Sequence, residues 1–275
     1  MSDTPRSLHF RLDWDYPSGD WLSEQLGSVD DLEAREGLFG ETLLLIAARR
    51  RRVEAIKVLL SAGADPEATN VRGKTAYAHS VRRGFSDVAQ VLVAAGASTL
   101  LSLPDQLAYA CSRGDFAGAR RLLREYPEIA CTGNPEEDRL LADLAGRNDS
   151  GAVVMLIEAG ADLSATALDG GTALHQACWF GQPRTARLLV NAGARLDTFD
   201  NAHESSPIGW VTHGSTNSGG AAERQDRYVS LARILTGAGC SLEYPDEPGD
   251  AYLKRLLKDA SPAVATVIRE ASKGP

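Results

Sequence analysis

His175 and Cys178 stand three residues apart, which puts both side chains on one face of a helix. An imidazole beside a thiol is the pairing of a base with a nucleophile, or of two metal ligands. His203 and His213, with Asp200 and Glu204 near them, could in principle hold a metal ion. Glu136, Glu137 and Asp138 follow one another beside Pro135 and read as solvated loop carboxylates rather than a general acid–base pair. Nothing in the chain reads as a phosphate-binding P-loop, GxGxxG, HExxH or GxSxG. Four cysteines, Cys111, Cys131, Cys178 and Cys240, never fall at CxxC spacing and are too few for a disulfide scaffold. Chemistry therefore has thin support, and the more numerous charged residues are the guanidinium groups: 24 arginines against five lysines.

Charge is unevenly spread. Residues 1–41 carry ten acids and three bases, residues 42–125 thirteen bases and seven acids, and residues 126–275 twenty acids and thirteen bases. A net −8 chain thus contains one basic stretch, an asymmetry that steers partner choice. The longest apolar run, 42–48, falls far short of the roughly 18 residues that span a bilayer. The opening MSDTPRSLHFRLDWDYP lacks an apolar core and reads as no secretory signal. A protein of the cytoplasm, with reduced thiols, is the expectation.

The elements that position these residues come from a repeat. The phrase IKVLLSAGAD at 56–65 returns as AQVLVAAGAS at 89–98, VVMLIEAGAD at 153–162, ARLLVNAGAR at 186–195 and ARILTGAGCS at 232–241. Gly63 to Gly96 and Gly160 to Gly193 are both 33 residues. A weaker copy, ARRLLREYPE, occupies 119–128. A second phrase precedes each copy: GETLLLIAA at 40–48, GKTAYAHSV at 73–81, GGTALHQAC at 170–178 and ESSPIGWVT at 204–212. Its first-helix slot falls at Thr42, Thr75, Asp105, Arg139, Thr172 and Ser206.

This period with both phrases resembles the ankyrin repeat, whose first helix opens T-P-L-H-x-A and whose second ends L-L-x-x-G-A-D. The resemblance implies an all-α ankyrin-repeat solenoid of about six helix-turn-helix units with capping helices at both ends and short β-turn or hairpin loops. The repeats lie at about 38–70, 71–100, 101–134, 135–167, 168–201 and 202–241. Residues 1–37 form an acidic N-terminal arm with one capping helix, DWLSEQL, started by Ser18 or Asp20. Residues 242–275 form two C-terminal capping helices, the second opened by Ser261–Pro262. One continuous solenoid is expected.

The resemblance also recasts the chemistry. His175 is the motif histidine, and Cys178 and Cys111 fill a small-residue slot where cysteine is a buried apolar side chain. Arg51 takes the inter-helix glycine slot, where a left-handed backbone costs about 1 kcal/mol or more without glycine. Repeat six carries twelve extra residues, placed in 213–228 and expected to be a mobile Gly/Ser-rich loop. This SPIGWVTHGS phrase with its expanded loop is similar to that of bacterial ankyrin proteins.

In the family, the residues seven and eight places after the motif threonine end the first helix and face the concave groove. Here they are Arg49 and Arg50, Arg82 and Arg83, Ser112 and Arg113, Gly146 and Arg147, Trp179 and Phe180, and His213 and Gly214. The expectation is a basic groove ending in an aromatic platform, and arginine's planar fork suits carboxylates and phosphates. Macrodipole decoration of helix C-termini is the competing explanation. The resemblance implies a non-catalytic protein–protein interaction module or scaffold, without metal or cofactor and monomeric, binding through its hairpin tips and its concave groove, the groove residues being Arg49, Arg50, Arg82, Arg83, Arg113, Arg147, Trp179, Phe180 and His213. Its partner would be a protein with an acidic patch. The alternative is an anionic non-protein ligand, nucleic acid or a phosphorylated metabolite, though the overall negative charge argues against general nucleic-acid affinity. The acidic, aromatic segment of Asp13, Trp14, Asp15, Tyr16, Pro17, Asp20 and Trp21 could fold over the basic groove as a competitor, or Trp14 and Trp21 could cover the end of the first repeat, the cover being the preferred reading.

Overall fold

The computed structural model describes residues 7–15, 18–37, 39–147, 150–199, 204–245 and 249–273. Tyr16, Asp200 and His203 lie outside them. Among the described residues the regular structure is helical, and the extended pairings are three isolated antiparallel bridges: Glu36 with Glu41, Thr69 with Thr75, and Thr166 with Thr172. Each closes a turn just before a helix. The chain divides into two compact units, Met1–Glu125 and Tyr126–Pro275.

The N-terminal unit holds α1 (Leu8–Trp14), α2 (Gly19–Leu26), α3 (Leu43–Arg49), α4 (Val53–Ser61), α5 (Ala76–Arg82), α6 (Ser86–Ala94), α7 (Leu103–Ser112) and α8 (Phe116–Glu125). The odd-numbered helices stack in one row, and α2, α4 and α6 in a second. Leu43–Ala48 are buried on every side because α3 packs on α1, α4 and α5 at once. Ala47 and Ala48 present no bulk, which lets these neighbours come close. Ser18 caps α2 as expected, its hydroxyl accepting from the Trp21 amide at 3.2 Å. The arm contains more than that one helix: α1, capped by Ser7, stacks on α3 and completes a leading helix pair.

The motif threonine is an N-cap. Thr42 accepts from the Leu45 amide at 3.4 Å and Thr75 from the Ala78 amide at 3.1 Å, each serving an amide that the helix itself leaves without a partner. In the third and fourth repeats the cap moves. α7 begins a turn before Asp105, capped by Ser102, and Asn134 caps the helical segment that leads to Arg139. Asp105 and Arg139 are thereby freed for other work.

The C-terminal unit holds α9 (Pro135–Asp138), α10 (Leu140–Ala145), α11 (Ser150–Glu158), α12 (Ala173–Trp179), α13 (Pro183–Asn191), α14 (Pro207–Asn217), α15 (Gln225–Gly237), α16 (Ala251–Asp259) and α17 (Pro262–Ala271). α10, α12, α14 and α16 form one row and α11, α13, α15 and α17 the other. The two C-terminal capping helices thus continue the rows, and Ser261 caps α17.

The insertion in repeat six is folded, contrary to the mobile loop expected. Residues 213–217 lengthen α14, a 3-10 turn spans Ala222–Arg224, and the remainder begins α15. Its anchor is Tyr228, fully buried, whose hydroxyl donates to the Trp179 carbonyl at 2.7 Å and also meets the Ser218 hydroxyl. Arg224 donates to the Phe180 carbonyl at 3.1 Å. The insertion therefore satisfies carbonyls at the C-terminal end of α12 that no helical amide reaches.

Candidate functional site

Successive helical residues point about 100° apart, so the seventh and eighth places after the cap cannot share a direction. In the N-terminal unit the seventh place turns inward. Arg49 is 5% exposed and makes a two-pronged contact with Glu41, Nε to Oε1 at 2.9 Å and Nη2 to Oε2 at 2.7 Å, and reaches Asp13 at 3.0 Å. Arg82 is 6% exposed and bonds Asp105 at 2.8 Å. Lys74, 2% exposed, meets the same carboxylate at 3.0 Å, and Ser102 donates to it at 2.7 Å. Burial alone would raise the Asp105 pKa; Arg82 and Lys74 outweigh it and hold the group below its ordinary value. Asp13 behaves alike, burial being overcome by Arg50 and Arg49.

The expected stripe of six groove-facing guanidinium groups is corrected on this point. Arg49 and Arg82 are interior charges matched by the chain's own acids, because a buried cation needs a partner. The eighth place is more open. Arg50 is half-buried, bonded to Asp13 at 2.5 Å and lying 5.2 Å from the Trp14 ring. Arg83 is half-buried, and Arg113 is exposed with its guanidinium donating to the Tyr109 hydroxyl at 2.8 Å. Arg147, in the C-terminal unit, is half-buried.

The remaining expected residues come together in the C-terminal unit. Trp179 stacks on His213, ring centroids 5.6 Å apart and planes 26° apart, and meets the Trp210 edge at 6.0 Å. Phe180 is 40% exposed. These rings wall a cleft of about 500 Å³ between α12, α14 and α16, joined by Tyr252, Leu256, Arg255, Asp259, Asp169 and Ser205. Gly209 lets Ser205 and Tyr252 pack closely on α14: a Cβ there would lie 2.0 Å from the Ser205 hydroxyl and 3.0 Å from that of Tyr252.

Ring hydroxyl and imidazole do the same job in adjacent repeats. His175 Nδ1 accepts from the Thr172 amide at 3.2 Å and lies 2.8 Å from its hydroxyl, while Nε2 faces the Ser205 carbonyl at 3.2 Å. In repeat six the histidine slot is Gly209, and the Tyr252 hydroxyl instead accepts from the Ser206 amide at 3.3 Å and meets the Ser206 hydroxyl at 2.7 Å.

A family model described as ankyrin repeats in three copies matches residues 20–101, and one described as ankyrin repeats in many copies matches residues 141–190. The chain is an ankyrin-repeat protein. It is similar to the ankyrin repeat and KH domain-containing protein mask-1 of Caenorhabditis elegans, 29% identical over 160 residues, which are 58% of this chain and 5% of that protein. It is also similar to the E3 ubiquitin-protein ligase KEG of Arabidopsis thaliana, 25% identical over 232 residues, 78% of this chain and 13% of the ligase. The chain thus spans a small part of either relative's length. Among solved structures it resembles the human ASB11 ankyrin repeat domain, 18% identical over 98% of this chain and 99% of that one, with a TM-score of 0.38. An ankyrin repeat domain from Acinetobacter baumannii AYE is 17% identical over 96% and 97%, with a TM-score of 0.36.

Ankyrin repeats are generally protein–protein interaction modules, and the fold is typically non-catalytic. Burial pushes the Cys178 thiol well above its ordinary range, and pushes Cys240 up to about 12, so neither supplies a thiolate near neutrality. No helix among the described residues is long and apolar enough to cross a membrane. Sequence reasoning missed Trp210, Tyr252, Arg255, Asp169 and Asp259 as cleft residues. The available signal was glycine in the histidine slot of repeat six, which asks what fills the space.

Proposed function

We propose that this ankyrin chain is a non-catalytic module and that each of its two units holds a partner protein against the C-terminal ends of its first helices. In the N-terminal unit the partner-facing residues are Arg50, Arg83 and Arg113, and the partner's contribution is an acidic patch. In the C-terminal unit they are Arg147, Trp179, Phe180 and His213. Arg49 and Arg82 belong to the interior and are withdrawn from the binding set.

One observation carries the acidic-patch reading. Asp13 seats its carboxylate on Arg49 and Arg50 together, at 3.0 and 2.5 Å, while Trp14 lies against Arg50. A carboxylate beside an aromatic ring is thus already accommodated at this end of the row, and the same place in the next two repeats is again arginine, Arg83 half-buried and Arg113 exposed. Guanidinium suits such a ligand through its planar fork.

The test uses fluorescein-labelled hexa-glutamate and the intact chain, read by anisotropy. Replacing Arg83 and Arg113 by Gln should weaken binding about threefold or more, the scale of exposed charge pairs. Asp13→Asn should strengthen it by releasing Arg50. Equal binding by all three proteins overturns the acidic-patch reading. Steeply salt-dependent binding to mixed-sequence RNA, lost in the same Arg83/Arg113 variant, would replace the protein partner by an anionic ligand.

A further inference from the structure

The cleft in the C-terminal unit has the opposite character to the arginine row. Residues 126–275 carry twenty acids and thirteen bases, a net of −7. Its lining includes two carboxylates, Asp169 and Asp259, against one guanidinium, Arg255. Asp169 is exposed, with Oδ1 fixed by the Gln176 amide at 2.7 Å and the Gly171 amide at 3.1 Å. Asp259 is half-buried at the end of α16 and enters no salt bridge among the described residues. The same cleft is lined by the rings of Trp179, Phe180, Trp210 and Tyr252.

We infer that this cleft binds a long cationic side chain, arginine or lysine, presented by a partner polypeptide. The inference rests on the reading of the chain as a binding module but concerns residues 126–275 alone, and it calls for a basic partner segment where the arginine row calls for an acidic one. Charge complementarity chooses the occupant: two acids and a net-negative unit attract a cation and repel a carboxylate. Shape and polarity agree. A lysine or arginine has an apolar stem that lies along aromatic walls and a charged head that stays with carboxylates at the mouth. The cleft volume of about 500 Å³ holds such a side chain with the backbone that carries it. The Tyr252 wall already accepts this chemistry within the chain: the Arg255 guanidinium lies 5.0 Å from its ring.

Part of the lining is fixed in advance. Gly209 lets Ser205 and Tyr252 pack against α14, where a Cβ would meet both hydroxyls. The insertion ties the Trp179 and Phe180 carbonyls through Tyr228 and Arg224. The backbone that carries the aromatic pair is therefore held before any partner arrives, which lowers the ordering cost of binding.

The test is anisotropy of fluorescein-labelled hexa-arginine, with hexa-glutamate in parallel, on the intact chain at about 0.15 M salt, where long-range attraction is screened. The double variant Asp169→Asn, Asp259→Asn should weaken hexa-arginine binding about fivefold. Asparagine keeps the acceptor for Gly171 and Gln176, and a thermal melt checks folding. Arg255→Gln should strengthen binding, an opposite change that a folding defect would not mimic. Phe180→Ala should weaken it about twofold to threefold. A control with the same loss of charge on exposed acids elsewhere, Glu24→Gln with Asp30→Asn, should leave binding as it was. Absence of hexa-arginine binding overturns the inference, and so does an equal loss in the control. Hexa-glutamate binding that depends on Arg83 and Arg113 but not on the cleft variants leaves the inference standing on the hexa-arginine arm. Failure of the hexa-glutamate arm alone removes the acidic-patch reading instead.

Discussion

The first-helix rows of the two units are sewn together by different chemistry. In the N-terminal unit the seams are ionic and buried: Asp13–Arg49–Glu41 runs from α1 to α3, with His79 of α5 3.6 Å from Glu41, and Lys74 and Arg82 share Asp105 of α7. In the C-terminal unit the seams from α12 to α16 are uncharged and aromatic: His175 to the Ser205 carbonyl, Tyr252 to Ser206, Trp179 against Trp210, and Tyr228 to the Trp179 carbonyl. The same helix pair can evidently be stacked by either means. The difference matters for what is left to meet a partner. Where arginine is spent on the seam, only the next residue along the helix stays open. Where aromatics make the seam, their other faces and edges remain as the wall of a cleft.

The comparison breaks most severely at Asp105. Asp105→Asn takes from Lys74 and Arg82 the carboxylate they share, and removing one partner of a buried ionic cluster costs about 3–5 kcal/mol. Chemical denaturation should report this loss. Hydrogen exchange should locate it in residues 1–125. The pH response follows from the direction of the pKa shift. Asp105 and Asp13 ionise more readily in the folded chain than at their ordinary value of 3.8. Their contribution to stability is complete above that value and fades as pH falls through the lower folded pKa. Acid should therefore loosen residues 1–125 before 126–275, and Asp105→Asn should flatten that part of the profile. Equal acid sensitivity in both units would contradict the contrast drawn here.

Tyr228→Phe tests the aromatic seam. It removes the donor to the Trp179 carbonyl while keeping the ring, at an expected cost of about 1–2 kcal/mol from the unsatisfied buried acceptor. The effect should be independent of salt, unlike that at the surface arginines, and hydrogen exchange should rise around Trp179 and Phe180. Unchanged protection there would mean the insertion does not hold the aromatic pair.

How far the sequence could be read follows the same division. Helix pairs were legible because the period and both phrases recur, and Ser18 and Ser261 gave true helix starts. α1 was not. Leu8, Phe10, Leu12 and Trp14 alternate at a period of two, the signature of a strand, and only packing on α3 makes the segment helical. Repeats three and four looked degenerate because Asp105 and Arg139 replace threonine. Their caps simply sit earlier, at Ser102 and Asn134, and the substituted residues neutralise neighbours: Arg139 meets Glu136 at 3.4 Å and Asp143 at 3.1 Å. The arginine row was legible in position but not in orientation. Which of two adjacent arginines turns inward depends on acids 8 and 23 residues away, Glu41 for Arg49 and Asp105 for Arg82.

Arg51 offers the smallest effect and the finest comparison, since one slot joins the helices of each pair in both units. Its φ of 55° matches the glycines that hold the equivalent place, 72° at Gly84 and 67° at Gly181. A side chain there pays about 1 kcal/mol in backbone strain. Arg51 offsets this with a contact to Asp87 at 3.1 Å and a position 5.5 Å from the Phe85 ring. Both groups are substantially exposed, and such pairs contribute about 0–1 kcal/mol. Arg51→Gly removes the strain and the contacts together and should leave stability within about 0.5 kcal/mol of the parent. Arg51→Ala keeps the strain and loses the contacts, so it should lie about 0.5–1 kcal/mol below the glycine variant in a urea titration. The gap between the two variants isolates the strain, and its absence would mean the backbone at this junction relaxes without glycine.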